Sequence, residues 1–503
     1  MSGNRTNRAI TNIAVSFMNQ VLTLLLTFLS RTVFIHVLGV EYLGINGVFS
    51  DVLGLLSMAD LGFNTAMVYS LYKPLAEQDQ RKIAALIQFY KRIYMVIAVS
   101  IMVIGTALIP FLQYIVNLDD EIPHLTLYYI LSLIGIVSSY ACFYKTSILT
   151  ADQKNYIVTR INMILSVCRT CVQIVVLLFS GSYVLYLLTA TFFNVLGNVV
   201  ASKRASREYQ YIVRKEVLNR DEKRELTVNV GSAFFYKISA MLLNATDNIL
   251  ISIIVGTVAV GYYSNYLMIT NKLSAIYTII FTSLIASIGN LVVQASAKKR
   301  YEVFQCEQTV SFCLSCVLIP CFANTVNDFI AIWLGEAFVL DRRVVLVVSV
   351  NLYLACIYQP LWSYREAVGL YRKTKWVMMG CAVVNIVLSI ALGIAWGIFG
   401  ILIASSLARL STYIWIEPRI LFRDYFNENA ATYYYKVFKN AFYVAAIVFI
   451  TERMARHFLI CTYIQWGVKA AIMAVIGSLL AYFVYHNEEG FKILKKKIGD
   501  LIR

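Results

Sequence analysis

Hydrophobic residues run along this chain in long blocks separated by short polar loops. The blocks fall at about 10–38, 42–71, 83–115, 125–150, 156–180, 183–201, 227–255, 259–292, 304–333, 344–370, 376–396, 398–420, 437–459 and 464–485. Each is long enough, as a helix, to cross about 30 Å of hydrocarbon. The longer ones must tilt or protrude. The pattern predicts an all-α polytopic membrane protein with about fourteen transmembrane helices. The first block is too long for the core of a signal peptide.

The blocks repeat. The stretch "RAITNIAVSFMNQVLTLLLTFLSRTVFIHVLGVEYLG" aligns without gaps on "ELTVNVGSAFFYKISAMLLNATDNILISIIVGTVAVG", setting Asn12 on Asn229, Gly39 on Gly256 and Gly44 on Gly261. "LIPFLQYIVN" matches "LIPCFANTVN", with Pro110 against Pro320, and "GSYVLYLLTAT" echoes "WGIFGILIASS". The three matches keep their order, so helices one to six (residues 1–201) and seven to twelve (227–420) form two lobes. Both copies start on the same side of the membrane, as parallel repeats do. A basic loop at 202–226 is the expected linker, and 421–503 adds a helix pair and a basic tail.

Composition agrees and adds direction. Of 503 residues 59% are hydrophobic and 14% charged, with a formal net charge of +16. The basic loops, among them "SKRASREYQYIVRKEVLNRDEKRE" and "KILKKKIGDLIR", alternate with loops such as "NLDDEIP" and "VGTVAVG" that hold no Lys or Arg. Only Arg342, Arg343, Arg453 and Arg456 fall on the cation-poor side. The positive-inside rule then places both termini in the cytoplasm. Membrane lipid headgroups account for the net charge, and no nucleic acid is needed. The ten cysteines lie mostly inside apolar runs and the four histidines are scattered. No metal site, cofactor or catalytic residue is expected.

Charges within the spans are the candidate chemistry. Arg31, Lys145, Arg169, Lys237, Lys272, Arg365 and Arg409 stand against Asp51, Asp60, Asp247 and Glu366. Such residues normally face a bundle interior or a water-filled cavity. The surplus of cations predicts a hydrated cavity that takes an anion, with mutual pairing inside a lobe as the alternative for any one residue. Glycines 39, 44, 47, 54 and 62 suit close helix packing or a bend.

The segment "FLSRTVFIHVLGVEYLGINGVFSDVLGLLSMADLGFNTAMVYSLYKPLAEQD" resembles the opening of bacterial polysaccharide-unit flippases of the multidrug/oligosaccharidyl-lipid/polysaccharide exporter superfamily. The resemblance implies a fourteen-helix fold in a bacterial cytoplasmic membrane. It implies as substrate an oligosaccharide repeat unit on undecaprenyl pyrophosphate, moved from inner to outer leaflet by alternating access. It also implies a cationic cavity for the pyrophosphate, and glycosyltransferases and a polymerase as neighbours in the pathway. Arg31 matches the motif position in helix one; Arg169, Lys237, Lys272 and Arg409 join it by depth alone. Asp51, Asp60 and Asp247 read either as ion-coupling sites or as salt-bridge partners that hold one state of a lobe.

Three rivals remain. A drug or metabolite antiporter of the same superfamily would need an acidic, aromatic cavity for cations. A peptidoglycan-precursor flippase would share the pyrophosphate chemistry. A membrane-embedded glycosyltransferase or polymerase would need catalytic carboxylates or histidines on substantial outer loops, which here are short.

Overall fold

The computed structural model describes residues 2–502 apart from 58, 119–121, 215, 220–221, 223–238, 240, 244, 283–287, 289–295, 369 and 456–459. It leaves out the side chains of 2–14, 16–17, 59–66, 141, 371–372 and 497–502 as well. No strand occurs among the described residues. Eight of the described helices are long and apolar enough to cross a bilayer, and shorter apolar helices lie at 125–140 and 241–254. The protein is a polytopic all-α membrane protein.

Its helices pack as two units, Met1–Gly261 and Tyr262–Arg503. The first holds α1 (Ser2–Leu38), α2 (Val40–Leu56), α3 (Ala59–Glu77), α4 (Gln80–Ala107), α5 (Leu125–Phe143), α6 (Asn155–Ser180) and α7 (Tyr183–Glu208). A further helical stretch at 245–254 leads into α8 (Thr257–Thr282). The second unit continues with α9 (Ala297–Leu334), α10 (Arg342–Ile357), α11 (Gln359–Val368) and α12 (Tyr371–Ser411). It ends with α13 (Tyr413–Leu421), α14 (Ala431–Ala455), α15 (Tyr463–Tyr485) and α16 (Glu489–Ile502).

The helix ends follow local chemistry. Asp79 caps α4 by accepting from Lys82 N at 2.9 Å, and Thr462 and Gln465 close a capping box on α15, each satisfying amides that no helical carbonyl reaches. Gly181 ends α6 in the left-handed conformation. Predicted helix eleven and the first part of predicted helix twelve are both inside α12, divided at Gly397 (φ 59°). The chain reverses there, bringing Gly400 back against Leu392 O, where a side chain would have no room. Several predicted spans are interrupted: 125–150 ends as a helix at Phe143 with a short one at Ser147–Ala151, 344–370 parts at Tyr358 into α10 and α11, and 398–420 parts at Thr412 into α12 and α13. The block 42–71 is two helices, α2 and α3, parted after Ser57, whose hydroxyl bonds back to Leu53 O at 2.8 Å. The block 83–115 ends as a helix at Ala107, and Pro110 starts a separate turn before Leu112–Ile115.

The two glycines that the repeat aligns meet in space. A Cβ on Gly44 would run into Thr257 O, and one on Gly261 would run into Val40 O. Val40 and Thr257 are the first residues of α2 and α8, each just after a positive-φ glycine, Gly39 and Gly256. The turn into α8 is tied to the segment that follows α4, with Thr257 N donating to Asn117 O at 2.7 Å and Ser252 Oγ donating to Ile115 O at 2.7 Å. Small residues let two backbones approach this closely, and Cα–H···O contacts add to the packing.

In the second unit α9 is the centre, packed against α10, α14, α15 and α16 with most of its residues from Phe304 to Val326 buried. Beside it, polar side chains of the neighbouring helices bond one another inside the core. Asn440 of α14 donates to Tyr485 Oη at 2.8 Å and accepts from Tyr353 Oη at 2.9 Å. Ion pairs join the helices: Lys469 to Asp328 at 2.6 Å, Arg342 to Glu452 at 3.5 Å and Arg365 to Glu417 at 3.0 Å. The last pair corrects the count of buried charge. Glu417, left out of the acids within the spans, neutralises Arg365, with Glu366 a further 3.8 Å contact. Outside the spans, Lys154 bonds Asp152 at 2.7 Å and Glu208 at 2.6 Å. Burial pulls its pKa down, but the two carboxylates and Tyr209 outweigh that and raise it.

Candidate functional site

Four helices of the first unit present polar side chains to one another in an otherwise apolar bundle. On α1 these are Thr23, Thr27, Ser30 and Arg31; on α6 they are Ser166, Arg169, Thr170 and Gln173. Spacings of three and four residues put each set on one helix face. Tyr186 of α7 and Asn46 of α2 complete the polar lining of a cavity of about 300 Å³. No carboxylate stands among the residues that line it.

Packing holds these groups in place. Several hydroxyls bond back to their own helix, as Thr27 Oγ1 does to Thr23 O at 2.5 Å and Ser166 Oγ to Met163 O at 2.8 Å. Gln173, almost wholly buried, donates Nε2 to Tyr186 O at 3.3 Å. Asn46 Oδ1 accepts from Tyr183 Oη at 3.3 Å. The Tyr186 ring packs edge-on to Phe34 at 5.1 Å, and its hydroxyl bonds Ser30. Arg169 Nη1 donates to Asn194 Oδ1 at 3.4 Å, a long bond to a neutral amide. Among the described residues Arg169 has no ion-pair partner, and its buried Nε has no hydrogen bond. A guanidinium held this way keeps most of its five donors for something else.

Of the cations singled out from the sequence, Arg31 and Arg169 share this cavity. Lys272, half-buried on α8, and Arg409, on α12 beside Tyr413 and Cys381, belong to the second unit. Lys237 lies outside the described residues, as does the side chain of Asp60. Asp51 Oδ2 accepts from Asn248 Nδ2 at 2.6 Å and so ties α2 to the 245–254 helix. Asp247, half-buried, sits beside that bond in sequence. Sequence reasoning missed Asn46, Gln173, Tyr186 and the hydroxyls. Their signal was polar residues at helical spacing around each arginine, which depth alone does not read.

Residues 9–291 match the family model described as polysaccharide biosynthesis protein. Among solved structures, the lipid II flippase MurJ in an inward closed conformation superposes with a TM-score of 0.67 at 12% identity, over 98% of this chain and 100% of that one. An inward-facing multidrug resistance MATE family transporter of the MOP superfamily gives 0.60 at 14% identity, over 82% of this chain and 98% of its own. A MOP superfamily transporter from Pyrococcus furiosus, noted for the reverse polarity of its binding pocket, gives 0.57 at 14% identity over 83% and 96%. Comparison with curated protein sequences finds no match. At such identities the likeness establishes a shared fold.

Proposed function

Because this chain belongs to the polysaccharide biosynthesis protein family, we propose that it is a flippase for oligosaccharide repeat units linked to undecaprenyl pyrophosphate. It carries them from the inner to the outer leaflet of a bacterial cytoplasmic membrane by alternating access, with both its termini in the cytoplasm. The observation that carries this reading is the cavity that pairs Arg31 with Arg169 and has no carboxylate in its lining. A pyrophosphate diester brings about two negative charges, and guanidinium forks bind phosphate oxygens two at a time. The hydroxyls and amides around the arginines suit the first sugar. A cation-exporting antiporter would want the opposite polarity. A peptidoglycan-precursor flippase would use the same cations, and only the sugar separates the two readings. Glycosyltransferases supply the substrate and a polymerase consumes it.

The direction of transport follows from charge. Net negative charge moving outward is favoured by an interior-negative potential, at about 2.3 kcal/mol per charge per 100 mV. Asp51, Asp60 and Asp247 are the coupling candidates if protons or sodium drive the cycle instead.

The experiment is flipping of labelled lipid-linked oligosaccharide by reconstituted protein under a valinomycin-set potential. Arg169→Ala should slow it by about 10- to 100-fold, the worth of hydrogen bonds to a charged group. Arg169→Lys should restore part of the rate. An unchanged rate in the Ala variant at wild-type protein levels would remove the cavity from the mechanism.

A further inference from the structure

The second unit carries an apolar groove of about 480 Å³ that the transport reading does not use. Ala441 and Ala445 of α14 form its floor, with Phe438 and Phe449 as walls, and Leu346, Val350 and Ile357 of α10 line the facing side. The two rings are 64% and 58% exposed, so the groove opens to the hydrocarbon around the protein. Tyr353, which also lines it, turns its hydroxyl inward to Asn440.

One end of this groove is charged. Glu452 lines it and faces Arg342 at 3.5 Å. Arg343 follows at the start of α10, exposed, and Arg453 lies over the Phe449 ring at 5.2 Å, also exposed. Neither Arg343 nor Arg453 has an ion pair among the described residues. The carboxylates nearby are already engaged: Asp341 caps α10 through Arg343 N at 2.6 Å, and Asp328 binds Lys469. Glu336, in the turn after α9, does not line the groove. Arg342, Arg343 and Arg453 are also three of the four arginines that the loop-charge pattern leaves on the cation-poor side. Arg342 pairs with Glu452 at the groove's end, and Arg343 and Arg453 are the next residues along α10 and α14.

We propose that this groove holds an anionic glycerophospholipid, its phosphate at Arg343 and Arg453 beside the Arg342–Glu452 pair and one acyl chain along α14. The dimensions fit. From Leu346 to Ile357 the groove follows α10 for about 16 Å, close to the roughly 15 Å depth of one leaflet. A polyprenyl tail would far outrun it. A zwitterionic headgroup would bring its own cation to the arginines and lose the attraction. This site is separate from the Arg31–Arg169 cavity and stands whether or not that cavity binds pyrophosphate.

The test is native mass spectrometry of the full-length, delipidated protein offered phosphatidylglycerol, phosphatidylethanolamine and polyprenyl phosphate in parallel. Wild-type protein should retain one phosphatidylglycerol per chain in preference to the other two. The double variant Arg343→Gln/Arg453→Gln, at exposed positions, should weaken phosphatidylglycerol binding by about 10- to 30-fold, as expected for two cations at a lipid surface. Ala445→Trp, which fills the groove, should lower uptake without altering the charges. Equal retention of phosphatidylglycerol and phosphatidylethanolamine would overturn the proposal. So would a preference for polyprenyl phosphate, or binding unchanged in the double variant.

Discussion

Arg169 and Arg365 are both guanidiniums set into helical bundles, and their surroundings differ completely. Arg365, almost fully buried, lies 3.0 Å from Glu417 and 3.8 Å from Glu366. Among the described residues Arg169 has a 3.4 Å bond to Asn194 and no ion pair, with a cavity in front of it. The repeat sharpens the contrast. In the alignment that sets "GSYVLYLLTAT" on "WGIFGILIASS", Tyr186 of the cavity wall falls on Ile401, which is fully buried, and Ala190 falls on Ser405. Ser405 accepts from Asn385 at 2.8 Å, and Asn351 and Ser406 bond beside it at 3.0 Å. One copy keeps a cavity at this level and the other fills it with satisfied amides and hydroxyls. A buried cation that is paired is structure; one left facing a polar cavity is available for a ligand.

The largest effect should come from breaking the paired site. Glu417→Gln leaves Arg365 buried beside a weaker partner and should cost about 3–5 kcal/mol. Thermal unfolding in detergent and yield in the membrane would show it. Replacing both members, Arg365→Met with Glu417→Met, should recover most of that loss. If the Gln variant is as stable as wild type, the pair is not what holds α11 to α13, and the contrast with Arg169 collapses. A middling effect is expected at the glycine crossing. Gly44→Ala puts a methyl group against Thr257 O and should destabilise by about 1–3 kcal/mol, the usual range for overpacking. Gly261→Ala should match it, because the contact is reciprocal; a large inequality between the two would mean that the copies do not share this joint equally.

The smallest effect should be at the surface. Glu222 pairs with Lys82 at 3.1 Å, and that bond, with one from Asn219 N, holds its carboxyl below the usual range. A depressed carboxylate contributes stability above its unfolded pKa and loses it as pH falls through the folded value. The contribution of this exposed pair should therefore vanish on acidification below about pH 4. Glu222→Gln at neutral pH should change stability by less than about 0.5 kcal/mol. A cost comparable to that of Glu417→Gln would mean that exposure does not separate the two classes of pair.

Most helices were legible because each must satisfy its own backbone and cover about the same hydrocarbon depth. Gly181 and Gly397 marked breaks within a residue or two. The break at Ser57 was not legible, since the apolar pattern runs through it without a proline. Charge bookkeeping failed at Glu417. Fifty-two residues separate it from Arg365, and only the packing of α11 on α13 brings them together. Arg31 and Arg169 could each be picked out by depth. That they line one cavity, and that Lys272 and Arg409 belong to the other unit, depended on which helices are neighbours. Gln173 and Asn46 were overlooked for a related reason: an uncharged amide in an apolar run costs less than an ion and gives a fainter signal.

The reciprocal contact at Gly44 and Gly261 has a consequence for ancestry. Each copy of the repeat offers a notch at its fifth residue after the turn glycine and a carbonyl at its first, and each notch takes the other copy's carbonyl. That is the pattern of an isologous interface, where one surface patch meets itself across a two-fold axis. A polypeptide carrying a single copy would present the same notch and carbonyl to its own twin. Joining two copies end to end converts such a dimer into one chain without inventing a new contact, and frees each half to diverge: one toward an open arginine cavity, the other toward a sealed core.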